Sequence, residues 1–259
     1  MGTAAELRTI QVTYLSSASL IIATTFVLAG TVKGVTGMGL PTVAMGVLGA
    51  FMPPVTAASL LLVPSFVTNV WQLFSGPSFA ALVSRLWLML LGITIGTIAG
   101  SCLITTANTK WTTIGLGATL TVYAVSSLLA RPFYVPSRVE RWLSPAIGLT
   151  TGLVTGGTGV FVIPAVPYLQ ALGLSKDDLI QALGLSFTIS TIALGIGLAG
   201  GRAFHFEDIA ASSLAIVPSL LGMWLGTAIR GRISAATFRR WFLCFLVLLG
   251  FELVLRPLL

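Results

Sequence analysis

The sequence predicts an all-α polytopic membrane protein built from two inverted repeats of about five hydrophobic segments, with Gly/Pro-broken helices near the midplane. Three observations lead there. The 259 residues are 56% hydrophobic and 8% charged, against roughly 25% charged in a soluble domain, and the mean hydropathy is +1.00. Residues 9–32, 34–84, 86–109, 111–130, 142–175, 179–201 and 209–229 contain no Asp, Glu, Lys, Arg or His. Each run is long enough for one crossing at about 20 residues per helix, and 34–84 for two. The runs do not alternate apolar and polar residues, which excludes a transmembrane β-barrel.

In chain order the apolar segments are 14–33, 40–51, 55–75, 84–104, 111–130, 144–156, 160–172, 178–199, 209–229 and 239–255. Segments 40–51 and 160–172 reach only about 18 Å by helical rise. Each follows a glycine cluster and carries a proline, Pro41 or Pro164, so they read as broken or re-entrant pieces. Segments 84–104 and 209–229 contain "GITIG" and "GMWLG", a small-xxx-small spacing suited to close helix packing. The basic stretch "ARPFYVPSRVERW" (130–142) links the halves. The domain division is therefore 1–132, a linker at 133–143, and 144–259, forming one membrane unit.

The second five segments repeat the first five. "GVTG" (34–37) matches "GGTG" (156–159), and "SLLLVPSFVTN" (59–69) matches "IQALGLSFTIS" (180–190). "LGITIGT" (91–97) matches "LGMWLGT" (221–227), and "LLARP" (128–132) matches "LVLRP" (253–257). If each half crosses an odd number of times, one side collects Lys33, Arg85, Arg131, Arg138, Arg141, Lys176, Arg230, Arg232, Arg239 and Arg240, against Arg8, Lys110, Arg202 and Arg256. That is ten against four, or nine against four if Lys33 lies within the membrane. Parallel repeats would divide the same residues seven against seven. The positive-inside rule selects inverted repeats with both termini outside the cytoplasm.

Inverted repeats with broken helices describe many secondary transporters, whose site lies where the breaks meet. Here the breaks are "KGVTGMGLP" (33–41) and "GGTGVFVIP" (156–164). A helix restarting after a break offers free N–H groups and a positive dipole end. The substrate-binding set expected at the breaks is Lys33, Gly34, Thr36, Gly37, Met38, Gly39, Thr155, Gly156, Gly157, Thr158 and Gly159, with amides from 36–40 and 157–161 facing a small anion. Lys33 lies in a run without a carboxylate from 9 to 84, so its counter-charge is distant in sequence or a ligand. Two plainer readings stand beside this one: glycines serving helix packing, and Lys33 snorkelling to the headgroups.

Ser65, Thr68, Asn69 and Gln72 share one helix face, and Ser186 and Ser190 repeat that face in the second half. Ser65, Asn69, Gln72, Ser186 and Ser190 complete the expected site as the wall of a polar cavity, with helix-to-helix bonding as the alternative. His205, Glu207 and Asp208 read as a solvated loop, with a proton gate or a metal site as the alternative. Cys102 and Cys244 fall inside apolar segments and form neither a disulfide nor a metal set. The amino terminus has neither the basic region of a signal peptide nor the Ser or Thr of a myristoylation motif. No nucleotide-binding loop, paired intramembrane carboxylates or catalytic set is present, so the expectation is no enzyme, no cofactor and no metal. The net charge of +7 lies between apolar runs and speaks for orientation in a bilayer, not for nucleic acid.

The glycine-rich break with its proline in each half (Gly34–Pro41, Gly152–Pro164), the "SFVTN" and "SFTIS" helices and the "GxxxGT" segments together resemble the sulfite exporter TauE/SafE family of bacterial membrane permeases. The likeness covers nearly the whole chain. The first break departs from the family's fuller glycine cluster, with "GMGLP" in its place. The resemblance implies export of a small sulfur oxyanion or organosulfonate, such as sulfite or sulfoacetate, across the bacterial cytoplasmic membrane. The expected partners are that anion and the lipid bilayer, with a homodimer left open. An anion channel and a non-transporting membrane scaffold or assembly factor are the rival functions.

Overall fold

The computed structural model describes residues 4–130, 133–201, 203, 206–232 and 234–259, with side chains from residue 18 onward except those of 206–208 and 235. Arg131, Arg202 and His205 lie outside the described residues, as do the side chains of Arg8, Glu207 and Asp208. The described residues are helical and contain no strand. The elements are α1 (Ala4–Thr36), α2 (Leu40–Gly49), α3 (Pro54–Leu73), α4 (Phe79–Thr106), α5 (Thr109–Leu129) and α6 (Ser137–Thr158). Then follow α7 (Ala165–Ala171), α8 (Lys176–Gly200), α9 (Phe206–Leu214), α10 (Ile216–Arg230) and α11 (Ala235–Leu255). Six stretches are long and apolar enough to cross a membrane: Ala18–Thr36, α3, α4, α5, α8 and Ile209–Arg230.

Two segments differ from the sequence expectation, each because of a proline. Residues 160–172 form a helix only over Ala165–Ala171, because Pro164 disfavours the helical region for the residue before it. Residues 209–229 divide into α9 and α10 at Ala215. Pro218 cannot donate to the carbonyl of Leu214, and its ring would crowd that carbonyl. In α3, Pro64 likewise leaves the carbonyl of Leu60 without its helical donor. Ser212 of α9 fills the gap: its hydroxyl donates to Leu60 O at 2.7 Å and accepts from Val63 N at 3.1 Å. A hydroxyl from a neighbouring helix is a recurrent remedy where proline breaks a ladder inside a bilayer.

Glycines let two helix pairs approach backbone to backbone. A Cβ at Gly34 would sit 2.3 Å from Met223 O, and one at Gly226 would sit 2.2 Å from Thr31 O, joining α1 to α10. A Cβ at Gly152 would sit 2.4 Å from Ile93 O, and one at Gly156 would sit 2.3 Å from Thr97 O, joining α6 to α4. Dispersion and small interfacial residues drive such packing in lipid.

The same contacts give the directions. Gly30 meets Ser219 and Gly34 meets Gly226, so α1 and α10 are parallel. Gly92 meets Pro145 and Gly100 meets Leu153, so α4 and α6 are parallel. Gly184 meets Leu73 and Gly195 meets Leu62, so α3 and α8 are antiparallel; Gly117 meets Leu253 and Gly250 meets Thr121, so α5 and α11 are too. The short α2 turns back from the end of α1: Ala50, just beyond it, accepts from Arg256 Nη1 at 2.5 Å, at the far end of α11. The still shorter α7 turns back from the end of α6, and Ala171 O accepts from Val135 N at 2.9 Å. Both short segments therefore double back along the bundle from the helices that precede them.

Arg85, Arg138, Arg141, Lys176, Arg230, Arg232, Arg239 and Arg240 gather at the end where α3, α5 and α10 finish, and Lys110 and Arg256 lie at the other end. We refer to the first as the basic end. There Arg85 pairs with Glu140 through two hydrogen bonds of 2.7 and 2.9 Å and donates to Leu172 O, tying α4, α6 and the end of α7 together. The buried core runs through α2, α3 and α8, enclosed by the glycine-packed pairs.

Candidate functional site

The two breaks use one local device. α1 stops because Gly37 takes a left-handed conformation (φ 78°), and α6 stops because Gly159 does the same (φ 71°), a region glycine enters without steric cost. Gly37 N donates to Lys33 O and Gly159 N to Thr155 O, both at 2.7 Å. The hydroxyls of Thr36 and Thr158 reach back to the carbonyls four residues earlier, at 2.8 and 2.7 Å. Each also accepts the amide two residues on, Met38 N and Val160 N, at 3.3 Å. The amides of residues 37, 38, 159 and 160 are thus engaged within the breaks, where the sequence reading expected them to face an anion. The first turn of α2 leaves the N–H groups of Leu40 and Thr42 without helical partners, with Pro41 between them lacking one.

Gly34 and Gly156 pack against α10 and α4, so the packing reading accounts for both. Gly157 would carry a Cβ at ordinary contact with Leu103, 3.6 Å away. Gly39, with φ 100°, caps α2 and accepts from Val43 N at 2.9 Å. Met38 is half-buried beneath the Tyr123 hydroxyl. Thr155, the counterpart of Lys33, is buried and donates within its own turn to Thr151 O at 2.8 Å.

Lys33 occupies the position where the halves differ, and it does not snorkel. Its side chain is 3% exposed, and its ammonium donates to Thr68 Oγ1 at 3.2 Å and to Asn69 Oδ1. Asn69 passes the contact to α8 through Nδ2 and Thr191 Oγ1, 3.4 Å apart. Both partners of the cation are neutral. Among the described residues the ion pairs are Arg85–Glu140 and Arg256–Glu252, and no described carboxylate pairs with Lys33. An ionisable group at membrane depth is costly unless hydrated or paired.

Among the described residues several buried polar atoms lack protein partners: the hydroxyls of Thr42, Ser65, Thr97, Ser186 and Ser190, and Gln72 Oε1. Buried hydroxyls ordinarily find a partner. Ser65 and Asn69 are one turn apart on α3, and Ser186 and Ser190 one turn apart on the antiparallel α8. Gln72 Nε2 donates to Gly37 O and Ile180 O, both at 2.9 Å, clamping the first break to α8. Gln181 returns the contact from α8, donating to Leu73 O and Gly76 O and accepting from Ser78 N.

A cavity of about 210 Å³ opens beside the first break, lined by Thr36 and Met38 and by Lys176, Arg230 and Arg239 of the basic end. Residues 156–159 do not line it. Sequence reasoning brought Lys33, Asn69 and Gln72 to one place. It passed over Thr42, Thr97 and Thr191; only the last had a local cue, adjoining Ser190 in "SFTIST".

A buried lysine held by neutral groups, buried hydroxyls without protein partners and two glycine breaks thus lie within one bundle of apolar helices. Neither a curated protein nor a solved structure matches the chain. The family model of the sulfite exporter TauE/SafE matches residues 22–253, nearly the whole chain, and the protein belongs to that family of membrane transporters.

Proposed function

We propose that the protein exports a small anion, sulfite or an organosulfonate such as sulfoacetate, by alternating access. The observation that carries this reading is Lys33: buried, held by neutral groups, and without a carboxylate partner among the described residues. The anion supplies the missing charge. The orphaned hydroxyls of Ser65, Ser186 and Ser190 and the first turn of α2 supply hydrogen bonds, and Asn69 holds the ammonium in place. Gly37, Gly39 and Gly159 shape the breaks, with Thr36, Thr158 and Thr155 securing them; Gly34 and Gly156 admit close neighbours, and Gly157 lies beside the second break. Gln72 closes the path toward the basic end, and opening that end parts its contacts with Gly37 and Ile180.

The helix directions support inverted repeats. In the first half α1, α3, α4 and α5 run down, down, up, down. In the second half α6, α8, α10 and α11 run up, up, down, up. The pair α1·α10 corresponds to α6·α4 under the same exchange. We take residues 1–132 and 144–259 as the two units, the basic end as cytoplasmic, both termini as outside, and the membrane as the bacterial cytoplasmic one. The membrane potential then helps an anion leave, by about 2.3 kcal/mol per charge per 100 mV, so efflux needs no coupled ion.

The test is efflux of labelled sulfite and sulfoacetate from liposomes holding the purified protein. Lys33→Ala is expected to slow efflux on the order of tenfold or more while the protein stays folded. Unchanged efflux in that variant refutes the assignment of the charge to the substrate.

A further inference from the structure

The cavity beside the first break has features that topology alone does not require. Arg138, Arg141, Arg232 and Arg240 also lie at the basic end, yet they do not line it; Lys176, Arg230 and Arg239 do. These three come from the start of α8, the end of α10 and the first turns of α11. Three separate elements thus bring basic residues to one space, and no carboxylate among the described residues lines it. Gln170 and the hydroxyls of Thr36 and Tyr123 add polar groups to the wall. Beyond Arg239 and Gln170 a second cavity of about 250 Å³ continues toward Ser127 and Phe133.

We infer that this basic cavity is a second, outer anion-binding site, in series with Lys33, that takes a small oxyanion bearing a short hydrocarbon portion. The inference rests on the transport reading above and deepens it. Thr36 and Met38 border the cavity, and Lys33 lies one turn behind them on α1. Gln72 stands between, because the two carbonyls it holds, of Gly37 and Ile180, adjoin cavity residues. An anion held at Arg230 and Arg239 therefore waits one gate away from the inner cation. Charges that converge in a cleft concentrate a counter-ion from solution. One wall is apolar, with Val35, Leu179, Leu183 and Phe242. A single water needs only about 10–15 Å³ of such space, so 210 Å³ accommodates an oxyanion with carbon attached, and the wall suits an organosulfonate.

The experiment is equilibrium binding of labelled sulfoacetate to the full chain in phosphatidylcholine nanodiscs. The wild type is expected to bind two anions per chain. Lys33→Gln removes the inner site and keeps the outer; adding Arg230→Gln and Arg239→Gln weakens the remaining site on the order of tenfold per charge. Arg239→Lys, which keeps the charge, retains it. In an otherwise wild-type chain the two arginine changes leave one site, which also reports that the variant is folded. A single site in the wild type, abolished by Lys33→Gln alone, overturns the outer site and leaves the transport reading intact. No binding by the wild type overturns both. If the Lys33→Gln protein binds no sulfoacetate but carries phosphatidylglycerol through purification, a lipid headgroup fills the cavity and the proposal is wrong.

Discussion

At the scale of single residues, the molecule departs from a well-satisfied interior at Lys33 and at a handful of buried hydroxyls. Lys33 is held by Asn69 and Thr68, both neutral, while hydroxyls on α2, α3, α4 and α8 lack partners. No carboxylate among the described residues offsets the burial of that ammonium, and such burial is costly. Asn69→Leu leaves the ammonium with Thr68 alone. We expect this to destabilise the protein by about 1–3 kcal/mol, and Lys33→Met in the same chain to recover most of that loss without restoring transport. Thermal unfolding in detergent, read beside efflux, separates the two effects. Equal destabilisation in the single and double variants would mean that Asn69 serves packing and not the cation. Lys33, Asn69 and Gln72 were legible because a charge and two amides in an apolar run are conspicuous. Thr42, Thr97 and Thr191 were not, because threonine in a membrane helix usually bonds to its own turn, and burial decides which hydroxyl is orphaned.

At the scale of elements, prolines and glycines set the shape. Pro64 opens the ladder of α3, and Ser212 closes it from α9. Ser212→Ala exposes Leu60 O and Val63 N together, with an expected cost of about 1–3 kcal/mol and a melting temperature lower by several degrees at about 2–4 °C per kcal/mol. An unchanged melting temperature would mean that another group fills the gap. The ten apolar segments, the short pieces at 40–51 and 160–172 and the packing role of "GITIG" and "GMWLG" were legible from period and composition. The break at Ala215 was not, although Pro218 marked it, because the apolar run continues through it. Nor did spacing reveal that Gly34 and Gly156 abut α10 and α4, since a glycine beside a break and a glycine beside a helix read alike.

At the scale of the whole molecule, the basic end and the helix directions bear on orientation. Cysteines placed at Arg230 and Arg256 in a chain lacking Cys102 and Cys244 should label oppositely with an impermeant thiol reagent on intact cells: 256 from outside, 230 only after the membrane is opened. Labelling of both from outside would contradict the placement of the basic end in the cytoplasm. The overall class was legible because charge-free runs of crossing length have few other uses; the partnering of α1 with α10 and of α4 with α6 was not, because it joins segments from different halves. The central claim is that the substrate anion is the missing partner of Lys33, and a ligand that binds only the folded state raises its stability with concentration. The measurement is the melting temperature of the wild type and of Lys33→Met titrated with sulfite at fixed ionic strength. A rise in the wild type that is absent in Lys33→Met is the result expected; an equal rise in both would contradict the account.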